Sequence, residues 1–103
     1  MKKTGVLKTI GDIRMPFNKL VVNPNDGYDL DILSKEFLVK IYAALSAESF
    51  EKGEGLIAEG HIVQENSCKL GTVEMNLKTL QRLGKPAQVT LQLEDNKLLI
   101  QVS

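Results

Sequence analysis

The clearest alternation of apolar and polar positions lies near the C-terminus. Val89, Leu91 and Leu93 alternate with Thr90, Gln92 and Glu94, and Leu98, Ile100 and Val102 alternate again beyond a turn at Glu94-Asp95-Asn96-Lys97. A period of two marks a half-buried strand, so a β-hairpin with strands at 88–94 and 97–102 is predicted. Upstream, Leu77, Leu80 and Leu83 recur at helical spacing behind Asn76, whose side chain suits an N-cap. Gly84 and Pro86 then stop the pattern, giving a helix at 77–83.

A second helix is predicted over 34–46. Ser34 can cap its first turn, Phe37, Leu38, Ile41 and Leu45 share one face, and Ala43 and Ala44 add helix propensity. Lys19–Val22 reads as a strand closed by the turn formers Asn23-Pro24-Asn25-Asp26-Gly27. Glu51–Gly55 reads as a loop and Leu56–Gln64 as a strand, with Gly60 marking a bulge or a close backbone approach. Glu65-Asn66-Ser67 is a turn leading to a strand over Lys69–Met75. Gly5–Phe17 stays open between a helix, weakened by Gly11 and Pro16, and two extended segments. The pattern predicts one α+β domain over 1–103: a mainly antiparallel sheet packed against two helices (34–46 and 77–83), ending in the hairpin 88–94/97–102. Both halves run strand, helix, extended segments, with no visible residue repeat.

Composition narrows the function classes. The 103 residues suffice for one core, and a hydrophobic content of 43% argues against disorder. Thirteen basic residues balance thirteen acidic ones, so no global field draws the chain to nucleic acid or an anionic membrane. Neutrality also removes self-repulsion, which leaves self-association open. The lysines at 2 and 3 resemble a signal-peptide start, but Lys8, Asp12 and Arg14 interrupt any apolar run, and no stretch is long enough to span a bilayer. With Cys68 as the only cysteine, the expected location is the cytoplasm, with no membrane partner.

The segment from Gly71 to Ile100, which contains Val-Thr-Leu-Gln-Leu at 89–93 and Asn-Lys-Leu-Leu-Ile at 96–100, resembles one module of the DNA sliding clamps. The resemblance covers about a third of the chain and implies a strand, a short helix facing DNA, and a hairpin on the outer rim. It would place Lys78 and Arg82 toward phosphates, with Lys85 just beyond the helix. The chain departs from the family in having at most one such module and no matching peptide pocket.

Candidate chemistry is sparse. His61 shares a predicted strand face with Glu59, and Cys68 follows seven positions later across a turn, so a thiol–imidazole pair is one reading. A packed histidine and a structural thiol are the simpler one. One His and one Cys cannot close a zinc site alone, and the Asn23, Asn25, Asp26, Asp29, Asp31 cluster does not fit a calcium loop. No phosphate loop is present. The expectation is therefore a non-enzymatic protein–protein interaction or assembly module, with no metal, cofactor or small-molecule ligand. A clamp-like DNA-associated protein is the alternative. The predicted contact edges are the N-terminal segment Val6–Phe17 and the terminal hairpin Val89–Val102, above all its last strand at Leu99, Ile100 and Val102, where Leu99 breaks the alternation and is either covered or exposed.

Overall fold

In the computed structural model, which describes residues 2–43 and 47–102, strands dominate. They are β1 (Lys2–Lys3), β2 (Leu7–Asp12), β3 (Lys19–Val22), β4 (Glu36–Ala43), β5 (Leu56–Gln64), β6 (Thr72–Asn76), β7 (Gln88–Glu94) and β8 (Lys97–Val102). Three short helices join them: α1 (Pro24–Asp29), α2 (Ala47–Glu51) and α3 (Leu77–Arg82). The order β7-β2-β6-β3-β5-β4-β8 returns to β7, so seven strands close a barrel, with β1 extending β2 along β7. Parallel pairs (β2–β6, β3–β5, β4–β8) alternate with antiparallel ones from β2 round to β8, and β7 closes the ring antiparallel to both β8 and β2.

This overturns the predicted α+β sheet packed against two helices. The segment predicted as helix 34–46 is β4 from residue 36, and the remainder at 44–46 lies outside the described residues. Val39 and Ile41 point into the barrel, and β4 is paired on both sides, by β5 and β8. Two β-branched residues at alternate positions, with two flanking strands to receive the backbone groups, outweigh the competing helical period. Ser34 does not cap a helix; its hydroxyl donates to the Glu36 carbonyl at 2.8 Å. The 23–27 turn formers begin α1 instead, capped by Asn23. β3, β5 and the terminal hairpin occupy the residues that periodicity assigns to them, and helix α3 follows Asn76.

Leu7, Leu20, Val22, Val39, Ile41, Ile62, Val73, Met75, Leu91, Leu98 and Ile100 fill the barrel. A smaller apolar cluster lies outside it, where α2 brings Phe50 onto Tyr42 and Leu99. The two rings meet edge to face at 5.2 Å.

The halves are related by an internal two-fold axis. Lys8 lies opposite Thr72, and His61 opposite Lys19; residue 8 corresponds to 61 and 19 to 72, a constant shift of 53. The antiparallel β3–β6 pairing maps onto itself under that shift, with the axis at the Val21–Glu74 pair. Equivalent residues do equivalent work. Asn23 accepts from the Asn25 amide at 2.9 Å and donates to the Cys68 carbonyl at 2.9 Å. Asn76 accepts from the Lys78 amide at 2.8 Å and donates to the Met15 carbonyl at 2.6 Å. Each asparagine thus caps one helix and ties down the loop that enters the other half's strand. Met15 and Cys68, equivalent in those loops, both pack on Val21 and Val63 from outside the barrel.

Candidate functional site

Cys68 is buried in its loop, with Sγ near the carbonyls of Thr72 (3.5 Å) and Val21 (3.7 Å). Burial, then a hydrogen bond to the Glu74 carboxylate and repulsion from Glu74, Asp26 and Glu65, pushes the thiol up from 9.0 to about 12. The thiolate is the reactive form, so this environment suppresses nucleophilic chemistry. His61 instead pairs with Glu36 (Nδ1–Oε1, 3.2 Å) on the neighbouring strand, while Glu59 lies 4.0 Å from Lys40. The Cys68 thiol lies against Val21, Lys69, Thr72 and Glu74, and no hydrogen bond joins it to His61 among the described residues.

Native Cys68 is expected to alkylate orders of magnitude more slowly than in denaturant, with no change in His61→Ala. A folded-state rate like that of a free thiol would contradict this arrangement. Because the folded state holds the proton more tightly, the stability due to the thiol is full below pH 9 and is lost as pH rises toward about 12.

The oxygen-rich residues after β3 serve the fold. Asp26 is buried and accepts from the Gly71 amide at 2.9 Å, locking α1 to the loop before β6, while Asp31 pairs with Lys2 at 3.6 Å. Among the described residues no group of three or more His, Cys, Asp or Glu side chains is placed to hold a metal ion. The equivalent of Asp26 in the other half is Thr79, whose buried hydroxyl has no partner among the described residues.

The last strand, predicted as a contact edge, is not a surface. Leu99 and Ile100 are 0% exposed, Leu99 beneath Tyr42 and Phe50 and Ile100 inside the barrel. β8 pairs with β7 on one side and β4 on the other, so barrel closure removes the open edge. Val102, at 52%, is the one of the three that reaches solvent. Lys78, Arg82 and Lys85 are all exposed, and none forms an ion pair among the described residues. Lys85 holds a left-handed backbone at φ 53° in the turn that ends α3.

A recess lies at the other end, where α1 begins. It is an open cleft of about 580 Å³ lined by Leu33, Ser34 and Lys35, by Glu65, Asn66 and Ser67, and by Pro24 and Gln64. Leu33 is 84% exposed. Gln64 is buried, and its amide nitrogen donates to the Ile32 carbonyl at 3.1 Å and to that of Ser34, fixing the wall that carries Leu33. Sequence reasoning passes over Leu33 and Gln64. A lone leucine in a polar loop has no period, and Gln64 reads as the polar end of a strand. Gly27 carried a signal, since a glycine inside a helix often marks a close approach, but it is read as turn chemistry.

No protein-family model, no characterised protein and no solved structure matches this chain.

Proposed function

We propose that this chain is a non-enzymatic protein-binding module acting in the cytoplasm, which holds an exposed segment of a partner protein in the cleft at the α1 end. The observation that carries the reading is a protruding leucine, Leu33, lining the same open cleft as the hydrogen-bonding groups of residues 65–67. Small-molecule sites enclose most of their ligand, and this cleft is open to solvent, which suits a peptide. The high thiol pKa of Cys68 and its separate contacts from His61 favour binding over catalysis. The cytoplasm is chosen because the lone cysteine is a free thiol.

Peptides selected from a random display library on the immobilised chain test the reading. Selected peptides are expected to bind the wild type and to lose about tenfold or more in affinity against Leu33→Asp, whose fold the exposed position leaves intact. Failure to select any peptide, or binding indifferent to Leu33→Asp, would sink it. Light scattering at low and moderate salt tells a heterologous partner from a second copy of the chain.

A second reading keeps the clamp-like, DNA-associated alternative, and it rests on the three exposed, unpaired cations at the α3 end. It expects duplex DNA binding that falls steeply with salt and disappears in the Lys78, Arg82, Lys85 triple alanine variant. Salt-insensitive binding, or none, removes it.

A further inference from the structure

The internal two-fold gives the barrel two equivalent ends, and only the α1 end carries the cleft described above. The difference lies in two contacts between a helix and the strand beneath it. At the α1 end the helix residue is Gly27 and the strand residue is Gln64. A side chain on Gly27 would overlap the Gln64 carboxamide, its first carbon falling 2.6 Å from Cδ and 3.0 Å from Cγ. At the α3 end, 53 positions on for the helix and 53 back for the strand, the sizes are exchanged. The helix residue is Leu80 and the strand residue is Gly11. A side chain on Gly11 would meet Leu77 Cδ1 at 2.9 Å and Leu80 Cδ2 at 3.0 Å. In the first arrangement a polar side chain reaches from strand to helix and grips the carbonyls of Ile32 and Ser34. In the second, two leucines lie down over a bare strand and supply no such grip.

We infer that this exchange of a large and a small residue determines which end of the barrel binds: Gly27 makes room for Gln64, and Gln64 holds the Leu33 wall in its open, peptide-accepting position. Both are positioning residues. Gln64 lines the floor of the cleft, yet its assigned role is to hold the Leu33 wall through the Ile32 and Ser34 carbonyls, and the inference rests on the peptide-binding reading of the cleft. Gly27 matters through what its missing side chain permits, and Gln64 through the carbonyls it fixes.

The test builds the α3 arrangement into the α1 end. Gly27→Leu, Gln64→Gly and the double variant Gly27→Leu/Gln64→Gly are compared with the wild type by thermal unfolding and by affinity for the display-selected peptides. Gly27→Leu forces the carboxamide aside, and Gln64→Gly leaves a void and a loop held only by its backbone bonds (the residue 64 amide to the Lys35 carbonyl at 2.8 Å, the Ile32 amide to the Gly27 carbonyl at 3.1 Å), so both singles melt lower. The double variant refills the void with leucine, so it is expected to melt above either single. It is nevertheless expected to bind the peptides about tenfold or more weakly than the wild type, because the Leu33 wall is no longer gripped. A residue that merely stabilises the fold would regain binding along with melting temperature. A double variant that melts no higher than the more stable single overturns the steric exchange. One that binds peptide like the wild type overturns the positioning role. If the wild type selects no peptide, the reading of the cleft falls and the positioning role with it, while the order of melting temperatures still decides the exchange.

Discussion

Leu99→Lys is expected to unfold the domain. Leu99 is fully buried on the outer face of the barrel, between Gln92 and Tyr42 on the neighbouring strands and beneath the Phe50 ring of α2. A lysine there would press an ammonium against the Tyr42 and Phe50 rings beneath α2, in place of the leucine that fills that space. A buried, unpaired charge is among the few single changes that cost about 4 kcal/mol or more. That is comparable with the whole stability of many small domains, roughly 5–15 kcal/mol. Leu99→Ala should cost about 2–5 kcal/mol, because the void is lined by Tyr42 and Phe50 and collapses only in part. Val102→Lys, on the same strand but half exposed, is the control and should stay within about 0.5 kcal/mol. Urea unfolding of the three variants checks the order. A folded Leu99→Lys with wild-type stability would mean that the α2 cluster is not packed as described.

The same residue shows where the sequence was legible. In β8 the alternation of Leu98, Ile100 and Val102 identifies the inward face, and Leu99 stands out as an apolar residue on the other one. What covers it is Phe50, 49 positions away on a short helix, and no local pattern reports a contact between segments that far apart. The 34–46 segment failed for a related reason. Phe37, Leu38, Ile41 and Leu45 satisfy a helical period, yet Val39 and Ile41 satisfy a strand period in the same window, and the flanking β5 and β8 decide between them. The caps were readable at Asn76 because capping is chemistry within a few residues. Its second bond, to the Met15 carbonyl 61 positions away, was not. The cleft was the least legible part. Leu33 and Gln64 come from loops and strand ends that the barrel brings together, and the two-fold relation behind them lies in pairing registers and not in repeated residues.

Gly60 is the other position where a single atom should do large damage, and here the predicted close backbone approach is what the structure contains. Asn18, which leads into β3, straddles it. The Asn18 carbonyl accepts from the His61 amide at 3.0 Å, and the Asn18 side chain donates to the Glu59 carbonyl at 3.4 Å. A methyl group on Gly60 would overlap the Asn18 carbonyl oxygen and lie 2.7 Å from Asn18 Cβ and 2.8 Å from its carbonyl carbon. Backbone cannot swing aside as a side-chain tip can. Gly60→Ala must therefore displace Asn18, losing both bonds and disturbing the start of the β3–β5 ladder at Lys19–His61. Overpacking costs about 1–3 kcal/mol, and a stranded backbone hydrogen bond adds about 1–3 kcal/mol. A loss of roughly 3–4 kcal/mol is expected, enough to lower the unfolding midpoint by well over 10 °C in a domain of this size. The equivalent contact in the other half, from the Lys8 amide to the Gly71 carbonyl at 2.8 Å, exchanges the sizes once more: the strand residue is Leu7 and the loop residue is the glycine. Gly5→Ala, with nothing within 4 Å of the added carbon, should leave the midpoint almost unchanged. Comparable midpoints for Gly60→Ala and Gly5→Ala would show that the β2–β3 loop is free to yield. In that case Asn18 could not be what holds β3 in register against β5.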